Sequence, residues 1–185
     1  AQDTALPLRL MKRLSILPNL LEMAKITRVP VFWLIVRGQQ IKVFSQLVYE
    51  GGKDGFLVPT LEKKKKNIEQ DKFVGATVLS AERGAYFEPV AGLDFASLYP
   101  SIMIAHNLCF STFLMKEKYD NIKGVKYLHK KWEAGDYKFA QNVEGLLPKM
   151  LKKLWAARKV AKKQMKNAPT PELKAVYNGK QLAIK

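Results

Sequence analysis

The chain has 185 residues, of which 48% are hydrophobic, and its formal net charge is +16. This length and composition permit one domain with a real core, or parts of two. The single cysteine excludes an internal disulfide, and no apolar run reaches transmembrane length, so we expect an intracellular protein without a membrane anchor.

The first predicted element is a helix. Leucines recur at roughly helical spacing from Leu10 to Leu21, and Pro18 is expected to interrupt that helix. Residues 29–48 instead have the composition of strands, because β-branched and aromatic residues dominate them. A polar linker is predicted next, at residues 53–70.

Residues 89–95 have the composition of a buried strand, and Asp94 lies near its end. From Ser97 the pattern predicts a helix, with a capping-type serine ahead of Tyr99. A carboxylate at a strand end, facing the N–H groups of a following turn, can hold a divalent metal and receive phosphate. That arrangement suits phosphoryl transfer, since the metal neutralises charge on the reacting phosphate. A structural strand and an ordinary capped helix are the alternative.

A helical hairpin is predicted at the end of the printed sequence. Residues 116–142 show no sharp motif, but apolar residues at spacings of three and four predict a long helix from about residue 145 to Asn167. Prolines at 169 and 171 predict a turn, and a second helix continues toward Lys185.

This hairpin carries most of the positive charge. Residues 149–185 contain eleven Lys or Arg and one acid, so they hold ten of the sixteen net charges. Arg158, Lys162 and Lys166 recur every four residues and form one cationic stripe. Such a surface suits nucleic acid, a nucleoside triphosphate or an anionic membrane. A solvated helix face is the alternative.

Several segments together resemble the family B DNA polymerases, especially the delta-like replicative enzymes and those of large DNA viruses. The first polymerase motif is matched by the run Gly92-Leu93-Asp94-Phe95-Ala96-Ser97-Leu98-Tyr99-Pro100-Ser101-Ile102, which continues through Cys109. The fingers motif is similar to Ala157-Arg158-Lys159 with Lys162, and residues 178–185 look like the opening of the second polymerase motif. The resemblance implies a mixed α/β (α+β) fold, comprising part of a palm sheet and an antiparallel helical fingers hairpin.

The resemblance also implies a division of the chain into four parts. These are the C-terminal end of a 3′–5′ exonuclease domain (1–24), a connecting region (25–83), the palm with the first polymerase motif (84–140) and the fingers helices (141–185).

Site roles follow from the same resemblance. Asp94 would be the catalytic carboxylate and would bind Mg²⁺, with the backbone carbonyl of Phe95 as a further ligand; the intact enzyme would use two such ions. Ser97 and Leu98 would offer backbone N–H groups to the triphosphate, and Tyr99 would lie under the sugar and exclude a 2′-hydroxyl.

Three cations and three further residues complete the implied sites. Arg158, Lys162 and Lys185 would bind the incoming triphosphate. Asp3 looks like a metal-binding aspartate of the proofreading exonuclease. Phe73 and Gly75 fall in a template-handling motif and would bind DNA, although Phe73 stands where the family has tyrosine. A strand with a glycine at a close backbone approach explains Gly75 equally well.

The implied function is DNA-directed DNA polymerase, with deoxynucleoside triphosphates and primer–template DNA as partners and a proofreading exonuclease in the intact protein. A sliding-clamp processivity factor is a further expected partner, and a membrane is not. The expected location is the host nucleus or a viral replication site; a viral origin is favoured, though these residues do not decide it. With one catalytic acid, the fragment alone is expected to be inactive.

Two other functions remain open from the residues. A non-catalytic, basic nucleic-acid-binding module would explain the charge and the aromatic residues, but not the arrangement around Asp94. A protein that binds a membrane surface would explain only the basic helix.

Overall fold

The computed structural model describes residues 2–57, 75–116, 119–132 and 135–185. The helices are α1 (Gln2–Arg13), α2 (Ile16–Thr27), α3 (Val31–Val36), α4 (Gln40–Lys53), α5 (Leu98–Ala105), α6 (Leu146–Lys166) and α7 (Pro171–Ile184). The strands β1 (Tyr127–Trp132) and β2 (Gly135–Ala140) pair in an antiparallel hairpin. The predicted mixed α/β class is confirmed. Within these described ranges, no helix is both long and apolar enough to cross a bilayer.

The predicted N-terminal helix is present, but its break is not at Pro18. The chain turns between α1 and α2 at Ser15, whose φ of 50° is left-handed. Pro18 lies in the first turn of α2, where a missing N–H costs no intrahelical hydrogen bond. The prediction of an interruption at Pro18 was therefore wrong.

The strands predicted in residues 29–48 are also wrong, because α3 and most of α4 occupy this stretch. A short apolar run such as Val31–Val36 is compatible with either a strand or a helix segment. In α4, Ile41, Ser45 and Glu50 are partly buried while Val43 and Phe44 are exposed, which is a helical rather than an alternating pattern. Tertiary contacts thus outweigh the β propensity of this segment.

The buried strand predicted at residues 89–95 does not form. Residues 75–95 have neither helix nor strand, and Leu93 is 97% exposed. A strand needs a neighbour to accept and donate its backbone hydrogen bonds, and no described strand pairs with this stretch. The sheet of the described residues lies later, where Tyr127 faces Ala140 across the β1–β2 pair.

The helical hairpin is confirmed. Helix α7 folds back along α6 after a turn at residues 167–170, and the Thr170 hydroxyl caps α7 by accepting from the Leu173 N–H at 3.3 Å. Ala161 is fully buried on α6. On the other side α7 packs against α2, where a Cβ added at Gly179 would lie 1.9 Å from the Asn19 Oδ1 atom. A side chain at position 179 would therefore have to displace the Asn19 side chain, which glycine avoids.

Candidate functional site

Asp94 lies in the irregular segment that leads into α5. Both the aspartate and the adjoining Phe95 are exposed. Among the residues that the structure describes, no three His, Cys, Asp or Glu side chains come together to hold a metal. Asp94 and the Phe95 carbonyl could supply oxygen ligands, which Mg²⁺ prefers, but the described part of the chain does not complete a magnesium site around them.

The first turn of α5 follows Asp94 and presents backbone donors. Ser97 occupies the cap position with a left-handed φ of 61°, and its side chain makes no capping hydrogen bond. Leu98 and Tyr99 are the first two helical residues, and Pro100 is third and has no N–H. The N–H groups of Leu98 and Tyr99 have no hydrogen-bond partner in the described residues. The start of α5 is therefore open to an acceptor, as an anion site requires.

Two side chains of α5 lie at this turn, and only one of them bonds to it. The Ser101 hydroxyl donates to the Ala96 carbonyl oxygen at 2.8 Å, which ties the helix to the turn before it. The Tyr99 side chain is 76% exposed, so it packs against little of the described protein. Tyr99 is thus not a core residue within the described part of the chain, and its ring is accessible to a ligand.

Helix α6 divides into two electrostatic halves. The lysines of its first half pair with carboxylates: Lys149 with Asp54 at 2.7 Å, Lys152 with Glu144 at 2.7 Å and Lys153 with Glu50 at 2.5 Å. The cations of its second half have no carboxylate partner among the described residues; they are Arg158, Lys159, Lys162, Lys163 and Lys166. The second half is therefore the part of α6 that can attract a polyanion.

Arg158 is held by a residue that the sequence did not single out. Its Nε atom donates to the Gln181 Oε1 atom at 3.4 Å, and the Gln181 amide donates to the Asn178 Oδ1 atom at 3.1 Å. Gln181 is 8% exposed. Lys162, one turn further along α6, is exposed, so the two predicted cations lie on the same helix with different degrees of constraint.

The other predicted site residues are dispersed. Lys185 caps α7, where its N–H donates to the Leu182 carbonyl oxygen, and Asp3 lies in the first turn of α1. Gly75 is exposed, and nothing lies within 4 Å of a Cβ built on it, so among the described residues no backbone makes the close approach offered as its alternative role. Phe73 lies outside the described residues.

The segment after α5 contains a buried polar residue, Asn107, that the sequence did not mark as functional. Its Nδ2 atom donates to the carbonyl oxygens of Ala140 at 2.6 Å and Val143 at 2.7 Å. Its Oδ1 atom accepts from the Gly145 N–H at 2.8 Å. Asn107 therefore connects the end of α5 to the end of β2 and to the start of α6.

Shifted pKa values occur away from Asp94. The Lys153 ammonium hydrogen-bonded to Glu50 lowers the pKa of that carboxyl, and Lys149 lowers the pKa of Asp54 in the same way. Lys138 lowers the pKa of Asp120, mainly through their hydrogen bond. These shifts mark surface ion pairs that support the fold, and they do not indicate an acid–base catalyst.

A cleft of about 180 Å³ opens between α2, α4 and α6, but it is not the candidate site. Its lining includes Arg28, Tyr49 and Met150, and it contains none of the predicted site residues. The Arg28 guanidinium already lies over the Tyr49 ring, 3.5 Å from its centroid. The functional candidates instead lie at the open start of α5 and on the second half of α6.

Comparisons with known proteins agree on one family. Residues 29–185 match the family model described as DNA polymerase family B. The DNA polymerase delta catalytic subunits of Candida albicans and Dictyostelium discoideum are 45% and 44% identical to the whole chain, which spans 18% and 16% of their lengths. The family B DNA polymerase from Pyrobaculum calidifontis superposes on 96% of this chain with a TM-score of 0.68 and 25% identity, over 22% of that polymerase.

Proposed function

Because the chain belongs to DNA polymerase family B, we propose that residues 1–185 are an internal segment of a DNA-directed DNA polymerase. The intact enzyme would add deoxynucleotides to a primer 3′-hydroxyl in DNA replication. The observation that carries this proposal is the similarity to polymerase delta catalytic subunits along all 185 residues, although the chain spans less than a fifth of their length. A separate basic module would not be expected to match part of a polymerase along the whole of its own length.

We assign Asp94 to metal binding. Family B polymerases use divalent metal ions, and Mg²⁺ is the ion we expect. When bound, such ions would activate the primer hydroxyl and neutralise the triphosphate by the two-metal mechanism. Asp94 and the Phe95 carbonyl would supply part of the ligand set, and aspartates from a later motif of the intact enzyme would supply the rest.

The start of α5 would hold the triphosphate tail. Its N–H groups at Leu98 and Tyr99 lack partners in the described structure, and Ser97 leaves them uncovered. Backbone donors at a helix start bind phosphate through hydrogen bonds and the helix dipole. The exposed Tyr99 ring would then contact the sugar and exclude a 2′-hydroxyl by its bulk.

The second half of α6 would contact the same triphosphate from the fingers. Arg158 can bind two phosphate oxygens through its planar guanidinium, whereas Lys162 and Lys185 act as mobile point charges. The absence of carboxylates beside Arg158 and Lys162 in the described residues supports this role, because their charge is not neutralised.

The remaining assignments concern the intact polymerase. We propose for it the domain layout predicted from the sequence, from the exonuclease end at 1–24 to the fingers at 141–185. Asp3 would belong to a proofreading exonuclease, and Phe73 with Gly75 would contact the template. Primer–template DNA and deoxynucleoside triphosphates would be the partners, with a sliding clamp in addition. The enzyme would act in a nucleus or at a viral replication site, and a viral origin stays a prediction.

Primer extension by the intact enzyme tests this function with a matched pair of lysine variants. Lys162→Ala removes an unpaired cation, and Lys152→Ala removes an exposed lysine on the same helix whose charge Glu144 already neutralises. We expect Lys162→Ala to raise the KM for deoxynucleoside triphosphate about tenfold, as one lost charge-assisted hydrogen bond implies, and Lys152→Ala to change it less than twofold.

The non-catalytic alternative gives a different result. A basic nucleic-acid-binding module would extend no primer, and Lys162→Ala would weaken its DNA binding and reduce the salt dependence of that binding. Nucleotide and Mg²⁺ would then leave the DNA affinity unchanged. A membrane-surface protein would bind anionic vesicles in preference to DNA.

A further inference from the structure

The start of α6 is capped by side chains from the segment after α5. Three successive N–H groups are satisfied in this way: Gly145 donates to the Asn107 Oδ1 atom, Leu146 to the Ser111 Oγ atom at 3.1 Å and Leu147 to the Cys109 Sγ atom at 3.3 Å. Pro148 has no N–H, and the Lys149 N–H donates to the Gly145 carbonyl oxygen at 3.0 Å. Every backbone donor in this first turn therefore has a partner within the described protein.

The contact is close as well as hydrogen-bonded. A Cβ added at Gly145 would lie 2.9 Å from the Cys109 Cβ atom and 3.1 Å from both the Asn107 Oδ1 and Thr112 Cγ2 atoms. Backbone φ at Gly145 is −69°, so glycine is needed here for space and not for its conformational freedom. The two segments cannot move apart without leaving buried polar groups unpaired.

The conformation of Asn107 makes this arrangement specific. Its φ of 51° is left-handed, a region that asparagine tolerates better than most residues. Its own carbonyl oxygen accepts from the Thr112 hydroxyl at 2.7 Å, which holds the backbone in place. Asn107, which is 8% exposed, thus donates to two backbone carbonyls and accepts from the Gly145 N–H and the Thr112 hydroxyl.

We propose that Asn107, Cys109, Ser111 and Gly145, the α6 anchor, set the orientation of the fingers hairpin relative to the start of α5, with Asn107 as the principal positioning residue. The inference rests on the proposed function, because it concerns how Arg158 and Lys162 reach a triphosphate held at α5. Asn107, Cys109 and Ser111 lie just after α5, which carries Leu98 and Tyr99, and Gly145 lies directly before α6. The anchor therefore fixes the two groups of phosphate contacts to each other.

A small change in the tilt of α6 at the anchor would move Arg158 by a large distance. Arg158 lies twelve residues beyond Leu146, which is about 18 Å along the helix axis. A tilt of about 5° at the anchor would displace Arg158 by about 1.5 Å at that length. Displacements of this size can cost about 100-fold in rate when they misplace a group that orients a substrate. The hairpin is also supported by the packing of α7 on α2 and by the packing and ion pairs of α4 against α6.

Kinetics of the intact enzyme test the anchor with a matched pair of asparagine variants. Asn107→Gly keeps the left-handed backbone and removes the side-chain hydrogen bonds. Asn121→Gly makes the same change at an exposed asparagine with φ of 58°. We expect Asn107→Gly to raise the KM for deoxynucleoside triphosphate about tenfold. With rates normalised to titrated active sites, it should lower kcat/KM by roughly 10- to 100-fold. DNA affinity should stay within about twofold, and Asn121→Gly should match wild type.

A merely structural role would give another pattern. Destabilisation without misplacement would lower the number of active sites and leave the KM for deoxynucleoside triphosphate unchanged, and that result would overturn the inference. It would mean that the contacts of α2 with α7 and of α4 with α6 position the hairpin without the anchor.

Two further variants keep the test decisive if Asn107→Gly yields no active sites. Ser111→Ala removes the acceptor of the Leu146 N–H and the hydroxyl that donates to the Cys109 Sγ atom at 3.2 Å, and we expect it to raise the KM about two- to fivefold. Gly145→Ala should raise the KM more than Ser111→Ala does. Gly52→Ala is the control and should leave the KM unchanged, because nothing lies within 4 Å of a Cβ at Gly52. An unchanged KM in both anchor variants would overturn the inference. An intact wild-type enzyme that extends no primer would instead overturn the proposed function, and the inference with it.

Discussion

Helices α5 and α6 begin with the same local pattern but end up with opposite first turns. In both, two helical residues follow the cap and a proline stands third, at Pro100 and at Pro148. At α6 the two N–H groups ahead of the proline bond to Ser111 and Cys109, whereas at α5 they have no partner in the described residues. One helix start is therefore closed and mechanically fixed, and the other is open to a ligand.

This difference separates binding from positioning. An open helix start beside an exposed acid can accept a phosphate and a metal ion, and a closed one can hold a long helix at a fixed angle. The same contrast continues along α6. Its first half, next to the capped start, carries lysines that pair with carboxylates, and its second half carries the unpaired cations that we propose bind the triphosphate.

The largest expected effect is at the open end. Asp94→Asn in the intact enzyme should lower kcat for primer extension by about 10³-fold or more, because an amide would be a poor ligand for the metal that we propose Asp94 binds. Steady-state extension at saturating nucleotide measures it. Binding of primer–template DNA, measured separately, should be unchanged. Residual activity above about one tenth of wild type would remove Asp94 from the metal site.

A smaller effect is expected from closing the open end. Ser97→Asp would place a carboxylate at the cap of α5, where it can accept from the Tyr99 N–H and repel the triphosphate. We expect the KM for deoxynucleoside triphosphate to rise about tenfold.

The matched control is Thr170→Asp, which adds the same charge at the cap of α7, a helix start that its own side chain already closes. Thr170→Asp should leave the KM unchanged. Equal increases in both variants would mean that the added charge acts at a distance, and the two helix starts would no longer differ in function.

The smallest effect concerns the ion pairs at the closed end. Glu50 and Asp54 have folded-state pKa values below their ordinary values of about 4, through hydrogen bonds from Lys153 and Lys149. The stability they add is therefore fully present above pH 4 to 5 and is lost as the pH falls through the lower folded-state values. The double variant Glu50→Gln/Asp54→Asn should have a Tm about two degrees below wild type at pH 7.

The Tm difference should shrink as the pH falls below about 4, as thermal melts at pH 7 and near pH 3 would reveal. Glu82→Gln, which alters an exposed acid outside any described ion pair, should not change the Tm at either pH. A difference that persists at low pH would show that packing, and not charge, links α4 to α6.

The sequence predicted the helical hairpin because its signals are local. Apolar spacing of three and four defines α6, and prolines near residue 170 define the turn before α7. It failed at α3 and α4, where a β-branched run looked like strands, and at residues 89–95, where an apolar run had no described strand to pair with. The β1–β2 hairpin was missed because charged residues hide its alternation.

The candidate site divides in the same way. Asp94, the turn at Ser97 and the cations of α6 are visible in the sequence, since each belongs to a short run with a recognisable order of residue types. Asn107 and Gln181 were not identified, because the partners that give them a role come from elsewhere in the fold. Whether Tyr99 is exposed also depended on what packs around α5.

Residue order alone thus determined the helices of the hairpin, the charge they carry and the acid–turn–helix succession, all of which arise from interactions across a few residues. Tertiary structure decided which helix start is open and which is closed. The acceptors that close α6 lie 35 to 38 residues before their donors, and the Asn107 amide reaches carbonyls 33 and 36 residues away. Hydrogen bonds over such separations form only after the chain has folded back on itself, so no local pattern encodes them.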